Sequence, residues 1–258
     1  NLLTQQAVAI LAHKIVRSEQ VRTIEPKAAQ IAGCTMFELM QRAGEAAFNV
    51  LKREWPEVQS IIVVAGNGNN AGDGYILAKL AKQQGINVVI TCEQPKRELI
   101  GDAKQAQLEW LKLGAKTLQF SEVDFTEFDV LVDALLGTGV TGEVKSAFQD
   151  VIQQINQTDI PVLSIDLPSG MQANTGQALP VCIKANVTVT FVATKPGLVS
   201  GIGKAFCGKL TFADLKIGAE FFGITHSEAQ LVDWSMLQRL QARPEHSNKG
   251  SFGKLLCI

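Results

Sequence analysis

The stretch IIVVAGNGNNAGDGYILAKLA, residues 61–81, decides the fold. Its first five residues are apolar without alternation, as in a strand buried on both faces of a parallel sheet. Its last seven, from Tyr75, carry the spacing of a helix. Between them lies a polar loop with glycines at 66, 68, 72 and 74. Glycine admits positive φ and lets a backbone approach a ligand closely, and the following helix offers unpaired amide N–H groups suited to phosphate. A strand that turns through glycines into a helix is the unit from which an open α/β sheet is built.

Working outward, further apolar runs lie at 87–91, 130–134, 162–165 and 187–192, with helical stretches at 75–84, 102–113 and 146–155 between most of them. Runs at 209–213 and 230–232 read as added strands or edge pieces. Toward the N-terminus the pattern is helical from about residue 15 to 52. Ser18 is placed to cap a helix with Val21, Ile24, Ala28 and Ile31 on one face, ending near Gly33. A second helix over 36–52 carries Phe37, Met40, Ala43 and Ala47 along one stripe, read as core or subunit contact. The fold expected is α/β: a mostly parallel sheet covered on both sides, with an N-terminal helical extension.

With 46% hydrophobic residues in a chain of 258, there is material for one sizeable core. A net charge of -1 without basic runs excludes a nucleic-acid footprint and an electrostatic membrane anchor. The short apolar run at 7–12 cannot span a bilayer, lacks the flanks of a signal peptide, and reads as the start of a helix. Five cysteines, odd in number and without a CxxC pair, fit reduced thiols in a cytoplasm rather than zinc. The chain does not begin with methionine, which suggests processing or truncation. Its tail changes character: residues 241–250 are polar and linker-like, and GKLLCI, 253–258, reads as the first strand of a second, truncated domain.

Ligands in an open parallel sheet bind beyond the carboxyl ends of its strands. After 61–65 comes the glycine loop. After 130–132 come Asp133 and GTGVTGE (137–143); after 162–165, Asp166 and LPSG with Ser169; after 187–192, ATKPG with Lys195. Four strand ends thus deliver a glycine-rich loop, two aspartates, a serine and a lysine to one rim. Taken singly, each aspartate is as readily a cap or turn former, and Lys195 a solvated loop residue. GNGNNA also matches a dinucleotide fingerprint, with Glu93 near the end of the next strand as a ribose acid. A plain turn with Asp73 capping a helix at Tyr75 is the structural alternative. None of His13, His226 and His246 follows a core strand, and Ser169 lacks a GxSxG elbow, so a histidine base or a serine hydrolase is not expected.

Three segments, VVAGNGNNAGDGYILAKLA, VDALLGTGVTGE and SIDLPSG, resemble the signature segments of the NAD(P)H-hydrate epimerase family, also called the YjeF N-terminal domain. The opening SEQVRTIEPKAAQIAGCTMFELMQRAG is similar to that family's N-terminal helices, and the likeness runs in order from about residue 15 to 240. The resemblance implies a Rossmann-like three-layer α/β/α sandwich over residues 1–240. It implies epimerisation of the R and S forms of hydrated NADH and NADPH at C6 of the nicotinamide ring. Asn69, Asn70, Ala71, Gly72 and Asp73 would line the hydrated nucleotide. Gly137, Thr138, Gly139, Val140, Thr141, Gly142 and Glu143 would wrap its phosphate region, and Asp166 would sit by the ring. A potassium ion would be held by Asn70, Asp133 and Ser169, an oxygen set that suits a hard monovalent cation and not zinc.

Lys195 matches the family's lysine in a segment, FVATKPG, whose flanks are looser, and Ala71 stands where a glycine is common in relatives. Alanine there implies ordinary backbone angles. Asp166 is the acid/base expected to give and take the proton, with Lys195 beside it. The tail, 241–258, resembles the opening of the ribokinase-like dehydratase domain of bifunctional members, whose activity is not expected of this stretch. The family also implies a homodimer. A nicotinamide-dependent oxidoreductase and a non-catalytic nucleotide sensor remain alternative readings.

Overall fold

The computed structural model describes residues 10–139 and 144–232. The expected tail strand, the 241–258 linker and residues 140–143 lie outside these. Among the described residues the N-terminal run is helical at 10–12; β1 (Lys14–Ile15) follows where the helix was expected to continue, pairing antiparallel with β9 (Ala229–Gln230). The piece expected at 230–232 therefore ties down the N-terminus and does not join the main sheet.

Helix α1 spans Ser18–Ile31 and α2 spans Met36–Glu54. Ser18 is not the cap: Arg17 occupies that place in extended conformation, and the Ser18 amide donates to Asn174 Oδ1 at 3.0 Å. Ile31, expected on the apolar face, is 61% exposed, because the helix docks through Val21, Ala28 and Ala29, with Ile24 partly buried beside them. Gly33, at φ +69, turns the chain between the helices. Thr35 and Glu38 then close a reciprocal capping box, with Glu38 N donating to Thr35 Oγ1 at 3.1 Å and Thr35 N to Glu38 Oε2 at 2.7 Å.

The remaining elements alternate. They are β2 (Ser60–Ala65), α3 (Asn69–Gln83), β3 (Asn87–Cys92), α4 (Gly101–Leu111), β4 (Thr117–Gln119), β5 (Val130–Ala134), α5 (Ser146–Asn156), β6 (Val162–Ile165) and β7 (Val187–Phe191). After them come α6 (Pro196–Val199), α7 (Gly203–Cys207), β8 (Lys209–Ala213) and α8 (Gly218–Ile224). Seven strands pair in the order β4–β3–β2–β5–β6–β7–β8, every pair parallel. The order reverses between β2 and β5, and there the crevice of a doubly wound sheet opens.

The pleat sends alternate residues of β2 to two cores. Ile61, Val63 and Ala65 join α2, α3 and α4 on one face, while Ile62 and Val64 join Phe148, Val151 and Ile152 of α5 on the other. That second face is covered by α5 and by the extended segment carrying Ile183 and Ala185, so the two helical layers are unequal. Among the described residues, no helix is long and apolar enough to cross a membrane.

Candidate active site

Gly66, Gly72 and Gly74 work by close approach and not by positive φ, while Gly68 has open space where a Cβ would stand. None of Gly66, Gly68, Gly72 and Gly74 has a positive φ, which corrects the expectation of left-handed turns here. A Cβ on Gly66 would collide with the Leu135 carbonyl oxygen, and one on Gly74 would lie 2.6 Å from the Ala134 Cβ. The glycines thus let α3 lie against the start of the β5 loop. Helix α3 begins at Asn69 and not near Tyr75, so Asp73 sits inside its first turns and caps nothing. Asn67, Gly68, Asn69, Asn70 and Asp73 face a cleft of about 500 Å³, with the unpaired first amides of α3 at its edge. Ala71 has the ordinary helical backbone expected of it. However, Ala71 is fully buried, and Gly72 is packed so that a Cβ would meet Met40 Sδ at 2.5 Å. Neither is among the residues that border the cleft, unlike Asn69, Asn70 and Asp73 on the same turns.

Behind the loop, three residues distant in sequence tie the ends of β5 and β6 together. Asp133, 1% exposed, accepts from Ser164 Oγ and Ser169 N, both at 2.8 Å, and from Ser169 Oγ at 2.5 Å. Burial pushes its carboxyl up, against the pull of these donors. Leu136 N donates to Ser169 Oγ at 2.8 Å, and the Leu136 carbonyl accepts from Asn70 Nδ2 at 3.0 Å. Asn70 Oδ1 is buried and has no hydrogen-bond donor among the described residues. An orphaned acceptor of this kind is costly unless something positive meets it.

At the cleft stand Asp166 and Lys195. Asp166 has φ +64 and is the centre of a three-residue turn closed by Leu167 N donating to Ile165 O at 2.8 Å. Val192, also at φ +64, centres a matching turn closed by Ala193 N to Phe191 O at 2.7 Å. Such γ-turns are strained, and a β-branched residue at positive φ more so. Two of them at adjacent strand ends mark a place where position outweighs comfort. They aim both side chains at one point: Lys195 Nζ donates to Asp166 Oδ1 at 2.5 Å, with side chains 2% and 16% exposed. Thr190 Oγ1 at 3.2 Å and Phe191 N at 3.4 Å donate to the same oxygen. Lys195 Nζ also reaches Thr190 Oγ1 at 3.2 Å and Phe191 O at 3.0 Å.

Two more carboxyls face this pair. Burial, then the charges of Asp166 and Glu25, push Asp73 well above the usual carboxylate range. Glu25 of α1 is pushed up to about 7, chiefly by burial, with Lys195 opposing and Asp166 assisting. Glu25 went unrecognised in the sequence, although the Glu25–Pro26 step inside a helical pattern was its signal. Pro26 has no amide proton, so the Arg22 carbonyl one turn back loses its helical bond, and the residue before a proline resists helical angles.

Of the expected nucleotide-lining residues, Asn69, Asn70, Asp73, Gly137, Thr138, Gly139 and Asp166 border the cleft, as does Lys195; Asp133 and Ser169 lie behind its wall. Val140, Thr141, Gly142 and Glu143 fall outside the described residues. Arg22, Asp102 and Lys145 are polar lining residues that strand-end reasoning missed, because they project from helices and a loop. Glu93 does not border the cleft.

A stability signature follows from Glu25. Between about 4.5 and about 7, the folded protein keeps a proton that the unfolded chain has released. This group's contribution to stability therefore falls as pH rises across that window and levels off above it. Glu25→Gln should be more stable than wild type near pH 8 by on the order of 2 kcal/mol, with the gain fading near pH 4. Urea unfolding at the two pH values reads the difference, and a gain independent of pH would refute the linkage.

Comparison with known proteins is consistent with this geometry. The family model described as YjeF-related protein N-terminus matches residues 36–197. The bifunctional NAD(P)H-hydrate repair enzyme Nnr of Coxiella burnetii is 38% identical over 95% of this chain and 50% of its own length. Its Escherichia coli counterpart is 35% identical over 96% of this chain and 48% of its own. The chain thus spans about half the length of these relatives. The NAD(P)H-hydrate epimerase of Limosilactobacillus reuteri is 32% identical over 79% of this chain and 96% of its own length. The crystal structure of yeast ynu0 superposes with a TM-score of 0.64 at 26% identity, covering 71% of this chain and 82% of that one. With the sheet order, the glycine loop and the family match in agreement, this chain belongs to the YjeF-related protein N-terminus family.

Proposed function

We propose that the chain interconverts the R and S forms of hydrated NADH and NADPH at C6 of the nicotinamide ring. The observation that carries this reading is the Asp166–Lys195 pair lining a cleft shared with Glu25 and Asp73, two carboxyls pushed up by burial. The substrate's ring is an enamine bearing a hydroxyl. Loss of that hydroxyl as water leaves a cation stabilised by the ring nitrogen, and water returns to either face. A cleft for this chemistry needs groups that donate and accept a proton near neutral pH, and a charge that holds a carboxylate in place. Asp166 supplies the carboxylate and Lys195 fixes it. The first amides of α3 and the loop bearing Gly137, Thr138 and Gly139 suit the nucleotide's phosphates.

The oxygens of Asp133, Ser169 and Asn70 suit a potassium ion, and the buried Asn70 Oδ1 without a donor is the atom that such an ion would satisfy. When bound, the ion would supply positive charge behind the phosphate-facing loop. The dehydrogenase reading loses its ribose acid, because Glu93 is not at the cleft. A cytoplasmic setting is supported by the unbridged Cys34, Cys92, Cys182 and Cys207. A homodimer belongs to the same reading and rests on family resemblance.

The test is direct. The protein is given one pure epimer of hydrated NADH, and the other is followed by chromatography in potassium and in sodium buffer. Interconversion is expected, with a higher melting temperature in potassium. Failure to form the second epimer in either buffer would reject the activity; identical melting in both would reject the ion.

A further inference from the structure

Epimerisation requires water to leave and return on both faces of one ring, and a carboxyl on one wall of a cleft serves the face it meets. Asp166 and Glu25 reach the cleft from different walls. Asp166 stands at the carboxyl end of β6, braced by β7. Glu25 comes from α1 in the helical layer, where Val21 and Arg22 border the same cleft. It lies N-terminal to the span matched by the family model. The two carboxyls are near enough for the charge of one to bear on the other.

Their surroundings differ in a useful way. Asp166 Oδ1 accepts from Lys195, Thr190 and Phe191, so one oxygen of its carboxylate is held by three donors and paired with a cation. Glu25 makes no hydrogen bond or ion pair among the described residues, and its carboxyl is left to carry a proton into the cleft. Burial keeps that proton on Glu25 into the neutral range. Burial pushes the Asp73 carboxyl up as well, but Asp73 projects from the first turns of α3 at the strand-end side and does not add a second wall.

We propose that Glu25 is a second acid–base residue, serving the ring face turned away from Asp166, so that epimerisation runs between two carboxyls. The proposal rests on the epimerase reading. In one direction the Glu25 carboxyl gives its proton to the C6 hydroxyl. The C6–O bond breaks with its electron pair leaving on water, and the ring nitrogen's lone pair closes a C=N bond. Water attacks C6 from the opposite face, the C=N electrons return to nitrogen, and the proton shed by that water passes to Asp166. Glu25 ends ionised and Asp166 protonated, which is the starting state for the reverse direction. No oxidant or reductant enters.

Glu25→Gln keeps the side chain's shape and removes its proton. Wild type and variant are each given either pure epimer of hydrated NADH in 18O-enriched water. Wild type should interconvert the epimers and label both. The variant should interconvert them about 10²–10⁴-fold more slowly. It should still exchange label into one epimer with retained configuration, because Asp166 can release and return water on its own face. Interconversion at the wild-type rate would overturn the proposal, and so would equal loss of exchange for both epimers, the mark of a merely structural role. A wild type that neither interconverts nor labels would bring down the epimerase reading and this inference with it.

Discussion

Asp166→Asn should bind the hydrated nucleotide within a few-fold of wild type and interconvert its epimers about 10²–10⁴-fold more slowly. The substitution is chosen for the backbone as much as for the chemistry. Asp166 sits at φ +64, where most side chains are strained, and asparagine is among the few residues that tolerate the left-handed region. An alanine there would confound lost chemistry with a sprung turn. The asparagine carbonyl oxygen can still accept from Lys195 Nζ, Thr190 Oγ1 and Phe191 N, so the walls of the cleft stay in place. What disappears is the ability to take a proton from water. Measured by chromatography for turnover and by fluorescence or calorimetry for binding, the two effects should separate cleanly. Full turnover in the variant would remove Asp166 from the chemistry, and parallel loss of binding and turnover would make it a residue of recognition alone.

The sheet was legible because its central strands are buried on both faces and read as unbroken apolar runs: residues 61–65, 130–134 and 162–165 needed no arbitration. Edge strand β4 was missed since three half-exposed residues, Thr117–Gln119, carry no periodicity to detect. The start of α3 was misplaced for a different reason. Asn69, Asn70, Gly72 and Gly74 are poor helix formers, and the helix begins there with Gly72 packed on Met40 and Ala103 and Gly74 on Ala134 and Val63. For the same reason the loop's glycines looked like turn residues: sequence shows that a side chain is absent but not whether φ or a neighbour demands it.

Strand-end logic brought Asp133, Asp166, Ser169 and Lys195 to one rim, yet it could not tell wall from foundation. Asp133 and Ser169 are tied to each other in the interior, whereas Asp166 and Lys195 meet at the cleft. Glu25 was illegible by that logic, since it approaches from a helix laid over the rim, and nothing in its local pattern states which way the helix will pack. Ile31 shows the converse, an apolar residue in perfect helical register that ends in solvent.

The strongest stability effect belongs to Lys195. Replacing it with methionine keeps most of the side-chain volume but removes the only cation hydrogen-bonded to Asp166 among the described residues. With Lys195 only 2% exposed and Asp166 16%, neither charge can turn to water for compensation. The Phe191 carbonyl loses its Lys195 donor in the same step. Breaking one side of a buried pair in this way costs about 3–5 kcal/mol, and the partial exposure of Asp166 puts the expected loss near the lower end. The cause can be isolated by adding Asp166→Asn. If the loss comes from a stranded carboxylate, the double variant should be about 1–2 kcal/mol more stable than Lys195→Met alone, since no unpaired charge remains to be held. If the methionine merely packs badly, the two substitutions will add and the double variant will be the least stable of the set. Urea unfolding of the four proteins gives the answer. Turnover should stay low in the double variant even where stability returns, because the proton acceptor is absent, and that divergence would show that the ion pair serves the chemistry and is not retained for the fold.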